Sequence, residues 1–152
     1  MRSTSSLGLN LIKKYEGLRL SAYLCPASVV TIGYGTTKYS NGKKVLLGEK
    51  LSGEKEATQL LLSTLEPYEA AVNKHLPNLN QCQFDALVSF AYNVGTGALI
   101  KSTLLKKAKI NPNDPSIVDE FLKWNRGGGK VLTGLSNRRR EEANLYFSLC
   151  NF

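Results

Sequence analysis

Histidine is nearly missing from this 152-residue chain: His75 stands alone. No Cys/His spacing suits zinc, so neither a metal nor a cofactor is expected. Cysteine is scarce too, with Cys25, Cys82 and Cys150 far apart. An odd count at wide spacing argues against a disulfide framework and for synthesis in a reducing compartment. No stretch approaches the roughly 20 apolar residues of a membrane span. The N-terminus lacks the apolar run of a secretion signal. If the protein acts outside the cytoplasm, something else must release it. Internal repeats and low-complexity segments are absent. The one glycine cluster, Gly127-Gly128-Gly129-Lys130, lacks the spacing and the Lys-Ser/Thr ending of a phosphate loop.

What is present is an ordinary globular composition, 42% hydrophobic and 21% charged. The length suits one domain with a real core, arranged in two lobes. The formal charge is +8. A basic surface favours polyanions, whether nucleic acid, an anionic membrane surface or an acidic wall polymer, and charge alone does not choose among them.

Residues 1–5 read as a short tail. Leu7, Leu11, Ile12 and Tyr15 share one helical face, Ser5 or Ser6 can cap it, and Gly17 ends it. From Leu18 the period is two, through Pro26 and on to Tyr34. Asn41-Gly42 predicts a two-residue hairpin, with a third strand near Lys44 to Leu47. Ser52 opens a helical pattern to about His75, where Pro67 should kink or interrupt it. The remainder reads as helices. The apolar run Gln81 to Val94 is the expected central core helix, and Ser136 to Leu149 the last, with Leu145 and Leu149 inward. The expected architecture is α+β: a small three-stranded antiparallel lobe over about 17–50, a connecting helix over about 52–75, and a helical lobe over about 76–152 that includes the N-terminal helix.

Glu16 ends the first helix, where the backbone dipole disfavours carboxylate ionisation. A carboxylic acid kept protonated can protonate a leaving oxygen. Cys25 follows nine positions later and Thr31 six after that. A lone cysteine is usually a small buried hydrophobe. With the loop centred near Ser28, however, the hairpin sets Cys25 opposite Thr31, where thiol and hydroxyl could hold a water. Arg138, Arg139 and Arg140 lie beside Glu141 and Glu142 on a helix; they cannot all point one way, and at least one is expected to meet acid groups in the core.

The order Glu16, Cys25, Thr31, then Ile32-Gly33-Tyr34-Gly35, closely resembles the phage-type lysozyme (endolysin, muramidase) family. Gln83 to Leu87 with Asn93-Val94-Gly95, Ser102 to Leu105, Trp124 to Gly129, and Gly134-Leu135 with Arg138 to Glu142 extend the resemblance over about 7–147. It implies a lysozyme-like fold and hydrolysis of the β-1,4 bond between N-acetylmuramic acid and N-acetylglucosamine in bacterial peptidoglycan, with inversion. By resemblance Glu16 is the general acid and Thr31 positions the attacking water. Cys25 occupies a position that is usually aspartate and sometimes cysteine. Tyr34, Tyr92, Asn93 and Ser102 are the expected substrate contacts. The resemblance further implies a monomer waiting in the host cytoplasm, with peptidoglycan as partner and no nucleic acid expected. The family often carries Trp in this hairpin and His after Gly-Tyr-Gly. Here Ser28-Val29-Val30 and Thr36 stand instead, and the missing His should cost some stability. Because a neutral thiol cannot act as a carboxylate does, Cys25 is expected mainly to orient water with Thr31. Two other readings stay open: a lytic transglycosylase acting on the same bond, and a catalytically idle module binding wall or DNA.

Overall fold

The computed structural model describes residues 1–150. Its elements in order are α1 (Ser6–Glu16), β1 (Arg19–Leu24), β2 (Val30–Gly33), α2 (Glu54–His75), α3 (Gln81–Val94), α4 (Thr96–Lys101), α5 (Thr103–Ile110), α6 (Ile117–Leu122), β3 (Arg126–Gly127), β4 (Lys130–Val131) and α7 (Thr133–Tyr146). The chain forms two compact units, Met1–Leu11 with everything from Tyr68 onward, and Ile12–Pro67. The boundary falls on Pro67, which lies within α2 without ending it. The expected interruption does not occur. Proline lacks the one N–H that would bond back to residue 63, and the rest of the helical ladder carries on.

In the Ile12–Pro67 unit, β1 and β2 pair antiparallel. Two residues more on β1 than on β2 separate the pairs Arg19↔Gly33 and Tyr23↔Thr31, which is a bulge. The third strand expected at Lys44 to Leu47 is not formed. Lys44 makes only an isolated bridge to Lys38, and β1 is met on its bulged stretch by Lys50 through Ser21. Glu49 explains the break, because its carboxylate takes the N–H of Leu46 at 2.6 Å and turns the chain at Gly48. Asn41-Gly42 gives a three-residue loop rather than a two-residue one. Tyr39 N–H donates to the Lys43 carbonyl, and Gly42, at φ +87°, closes the turn on Tyr39.

The other unit is helical. α3 begins with a capping box in which Asn80 and Gln83 each bind the other's backbone N–H, at 2.8 and 3.0 Å. It is buried from Cys82 to Ala91, with Gln83, Asp85 and Ser89 enclosed among its apolar residues. α7 packs against it and against α6. The inward side of α7 is Arg138, Arg139, Glu142, Ala143 and Tyr146. Leu149, expected inward, lies past its end and is exposed, because the buried stripe follows the charged residues.

Two further expectations are corrected here. Residues 1–5 are not a loose tail: Thr4 gives its N–H and hydroxyl to Glu69, both at 2.6 Å, and Arg2 binds the Leu79 carbonyl at 2.9 Å. Cys82 and Cys150 are joined in a disulfide. Sixty-eight residues of separation hid the pair, yet their Cα atoms come within 5.7 Å, inside the range that a disulfide requires. Among the described residues, Cys25 is the free cysteine. No helix among them is long and apolar enough to cross a membrane.

Candidate active site

Glu16 is the last residue of α1, half-buried, with Gly17 at φ +71° directly after it. The left-handed glycine receives the helix end, since Gly17 N–H still donates to Lys13 at 3.0 Å, and the chain then swings into β1. One turn back on α1, Lys13 binds the carboxylate of Glu54 at 2.9 Å. Tyr34 O–H donates to the same carboxylate at 3.1 Å, and the Lys13 ammonium sits 5.4 Å from the centre of the Tyr34 ring. Burial first, and then the Glu54 charge, hold the Tyr34 phenol above its ordinary pKa, so it remains a neutral donor. The end of α1 is thus tied to α2 through a lysine, a carboxylate and a phenol. Glu54 had no motif to announce it in the sequence.

The hairpin departs from its expected register by two residues. Thr31 faces Tyr23, and Cys25 N–H donates to the carbonyl of Val29 at 3.0 Å. The loop is therefore centred on Ala27, with Ser28 at φ +62° and its N–H bonded to the Cys25 carbonyl at 2.8 Å. A shift of two keeps every side chain on its own face. Cys25 and Thr31 accordingly remain on one side as diagonal neighbours, and a hydrogen bond joins them. Thr31 is buried and Cys25 half-buried. The Thr31 hydroxyl has a single proton for two acceptors, the Val29 carbonyl at 3.0 Å and the Cys25 sulfur. Hydrogen bonds to the sulfur from the backbone at Val29, then from the backbone at Ala27 and from Thr31, lower the Cys25 pKa, against a smaller opposing effect of burial. The thiolate share therefore exceeds that of an ordinary thiol.

Thr36 fills the place of the family's frequent histidine. It is fully buried, bridges Ile32 through two backbone hydrogen bonds of 2.9 Å, and meets the Thr64 hydroxyl at 2.9 Å.

The remaining expected contacts lie in the helical unit. Tyr92 packs edge-on against Tyr68 with ring centres 5.1 Å apart. Asn93 is exposed and opens on a cavity of about 360 Å³ that it shares with Trp124, Lys123 and Arg126. Ser102 is buried, and its hydroxyl is committed to donating to Leu99 O at 2.6 Å and capping α5 through Leu105 N–H at 3.1 Å. The glycine stretch beside Arg126 is no open loop. Gly128 and Gly129, at φ +59° and +79°, form the tight turn of the β3–β4 hairpin.

A family model for phage lysozymes matches residues 13–142. The chain belongs to the phage lysozyme family. The endolysin of Bacillus phage B103 is 45% identical over 147 residues, which is 95% of this chain and 54% of that protein. This chain thus spans about half the length of that relative, and likewise of the endolysin of Bacillus phage PZA. Among solved structures, an endolysin from Escherichia coli O157:H7 phage FAHEc1 superposes with a TM-score of 0.86 at 40% identity, covering 96% of this chain and 94% of that one. The muramidase domain of SpmX from Asticaccaulis excentricus gives 0.85 at 31% identity, with 98% of this chain and all of that one covered. Within the phage lysozyme family, then, this chain presents Glu16 at a helix end and Cys25 bonded to Thr31 in the hairpin that follows.

Proposed function

We propose that this phage lysozyme family member is a glycoside hydrolase that cuts the β-1,4 bond between N-acetylmuramic acid and N-acetylglucosamine in peptidoglycan, and so lyses a bacterial host. The observation that carries this is the paired thiol and hydroxyl of Cys25 and Thr31, one short strand beyond the helix-ending Glu16. Glu16 donates a proton to the departing glycosidic oxygen. Thr31 Oγ1 accepts from the attacking water and Cys25 orients it from the other side, and the proton that water releases on attack passes to the Cys25 sulfur. Its lowered pKa suits that part. Water attacks the opposite face of the sugar, and the anomeric centre inverts. Asn93 and Tyr92 meet the substrate, while Ser102 serves by fixing the start of α5. Similar proteins include endolysins and a domain named as a muramidase domain.

Clearing of a purified peptidoglycan suspension tests the reading. Wild type should clear it and Glu16→Gln should not, with both melting at similar temperatures. Clearing that survives Glu16→Gln removes the assignment. Product analysis separates the remaining chemistry: a new reducing end supports hydrolysis. A 1,6-anhydro end would instead make the protein a lytic transglycosylase, a reading favoured by the lack of a carboxylate at position 25.

A further inference from the structure

The β-rich unit carries a surface that the glycosidase reading leaves unused. A cavity of about 420 Å³ opens between the β1–β2 hairpin and the chain after it, with Val29, Val30, Val45 and Leu46 as its apolar wall and Lys38 and Lys44 at its edge. Around it, aliphatic side chains stand in water: Leu24 is 57% exposed, Val29 44%, Leu46 64%, and the adjoining Leu47 63%. Leu24 is beside Val30 in the sheet register.

The lysines are placed against their own interest. Lys38 and Lys44 face each other across an antiparallel bridge, an arrangement in which like charges repel. Among the described residues neither has a carboxylate partner. The nearest acid in the chain, Glu49, is already engaged, accepting from Tyr39 O–H at 3.0 Å and Leu46 N–H at 2.6 Å. Those bonds neutralise no lysine. They fix the turn that raises Leu46 and Leu47 into solvent. Lys43, next in the chain to Lys44, is exposed as well.

We propose that this face docks the protein on an anionic lipid surface. Leucines and valines enter the acyl boundary while Lys38, Lys43 and Lys44 meet the headgroup phosphates, an interfacial arrangement in which apolar burial and charge attraction add. An acidic polymer would satisfy the lysines and leave the aliphatic side chains wet. A bilayer satisfies both. Such docking does not depend on the hydrolytic reading: Val29 touches Cys25 and Thr31 through its backbone, but Lys38, Lys44, Leu46 and Leu47, the residues varied below, bond to none of Glu16, Cys25 and Thr31.

Sedimentation with phosphatidylglycerol–phosphatidylcholine vesicles and with pure phosphatidylcholine vesicles tests it. The full chain should bind the first and hardly the second. Lys38→Ala/Lys44→Ala should weaken binding by about fivefold per lysine. Leu46→Ser/Leu47→Ser, at unchanged charge, should weaken it by at least about tenfold. Lys106→Ala/Lys109→Ala, exposed lysines of α5, serves as the charge control and should change it less than twofold. Every variant should still clear purified peptidoglycan as wild type does, so a failed clearing assay for wild type would sink the hydrolase reading alone. Failure to bind phosphatidylglycerol overturns the docking proposal. So does an equal loss in the α5 control, or a leucine pair that changes nothing, since either means attraction to any polyanion.

Discussion

Asp85 of α3 anchors the residue just before the helix that ends in Glu16: its carboxylate accepts Ser5 N–H at 3.0 Å and also the Ser5 hydroxyl. The residue that precedes α1 is therefore fixed by an anion eighty residues along the chain. Gln81 steadies the same carboxylate at 2.8 Å. A residue deep in the helical unit thus sets where α1 begins.

The close fit there predicts an inverted alanine effect. Replacing Gly8 by Ala favours an isolated helix, by up to about 1 kcal/mol. Here the new Cβ would lie 2.7 Å from Thr4 Cγ2 and 2.8 Å from Asp85 Cβ. Gly8→Ala should lower stability by about 1–3 kcal/mol in urea titration. A gain would mean that α1 can slide away from Asp85.

Glu142 sits fully buried between two guanidinium groups, 2.7 Å from Arg139 Nε and 3.2 Å from Arg138 Nε. Arg138 also donates to the Ser89 carbonyl at 3.1 Å. Glu142→Gln removes the buried charge that both guanidinium groups share and should cost about 3–5 kcal/mol. Arg140→Ala, on the exposed side of the same helix, should change the urea midpoint little.

Reduction of the Cys82–Cys150 bond should lower the melting temperature, with a stability loss of about 2–4 kcal/mol for a loop of this length. Thiol titration of the oxidised, unfolded chain should find one reactive cysteine, Cys25. Three reactive thiols, or a midpoint indifferent to reductant, would show the bond unformed.

Clearing activity should rise with pH through an ionisation below the ordinary thiol value of about 8.5, because the hydrogen bonds from Val29 depress the Cys25 pKa. The sign is that of a required thiolate: activity is lost as pH falls through the depressed pKa. Cys25→Asp should move the loss to the carboxylate range, and Cys25→Ser should remove the alkaline rise. An unshifted profile in Cys25→Ser would show that the neutral thiol suffices.

Lys107 at 2.9 Å and Lys123 at 3.0 Å hold the Glu120 carboxylate below its usual pKa. The folded value lies below the unfolded one, so the stability it contributes is full above about pH 4.3 and is lost as pH falls through the folded pKa. Glu120→Gln should therefore show a flatter acid limb in melting temperature against pH. An identical limb would remove Glu120 from the acid transition.

Much of this was legible in the chain. α3 could be read because Phe84, Leu87, Val88 and Ala91 share one apolar face, and the helix end at Glu16 because Gly17 follows it. Local patterns left three things hidden. The hairpin centre depended on Ser28 taking a left-handed backbone, which serine seldom signals. At least one arginine of α7 was expected to meet acid in the core; that Arg138 and Arg139 both do, on a fully buried Glu142, stayed hidden, because these residue types normally mark a wet surface. The cysteine pair is joined by the fold of α3 through α7, not by any spacing. The interest of Lys38 and Lys44 likewise needed the bridge that sets them face to face.

The Cys82–Cys150 bond makes the chain from α3 to its last described residue a covalent ring. A protease cutting once at the exposed Gly129 turn would open that ring without freeing a fragment. Both pieces would travel together until a reductant parted them, so a nicked molecule outside a reducing compartment could keep its helices in place.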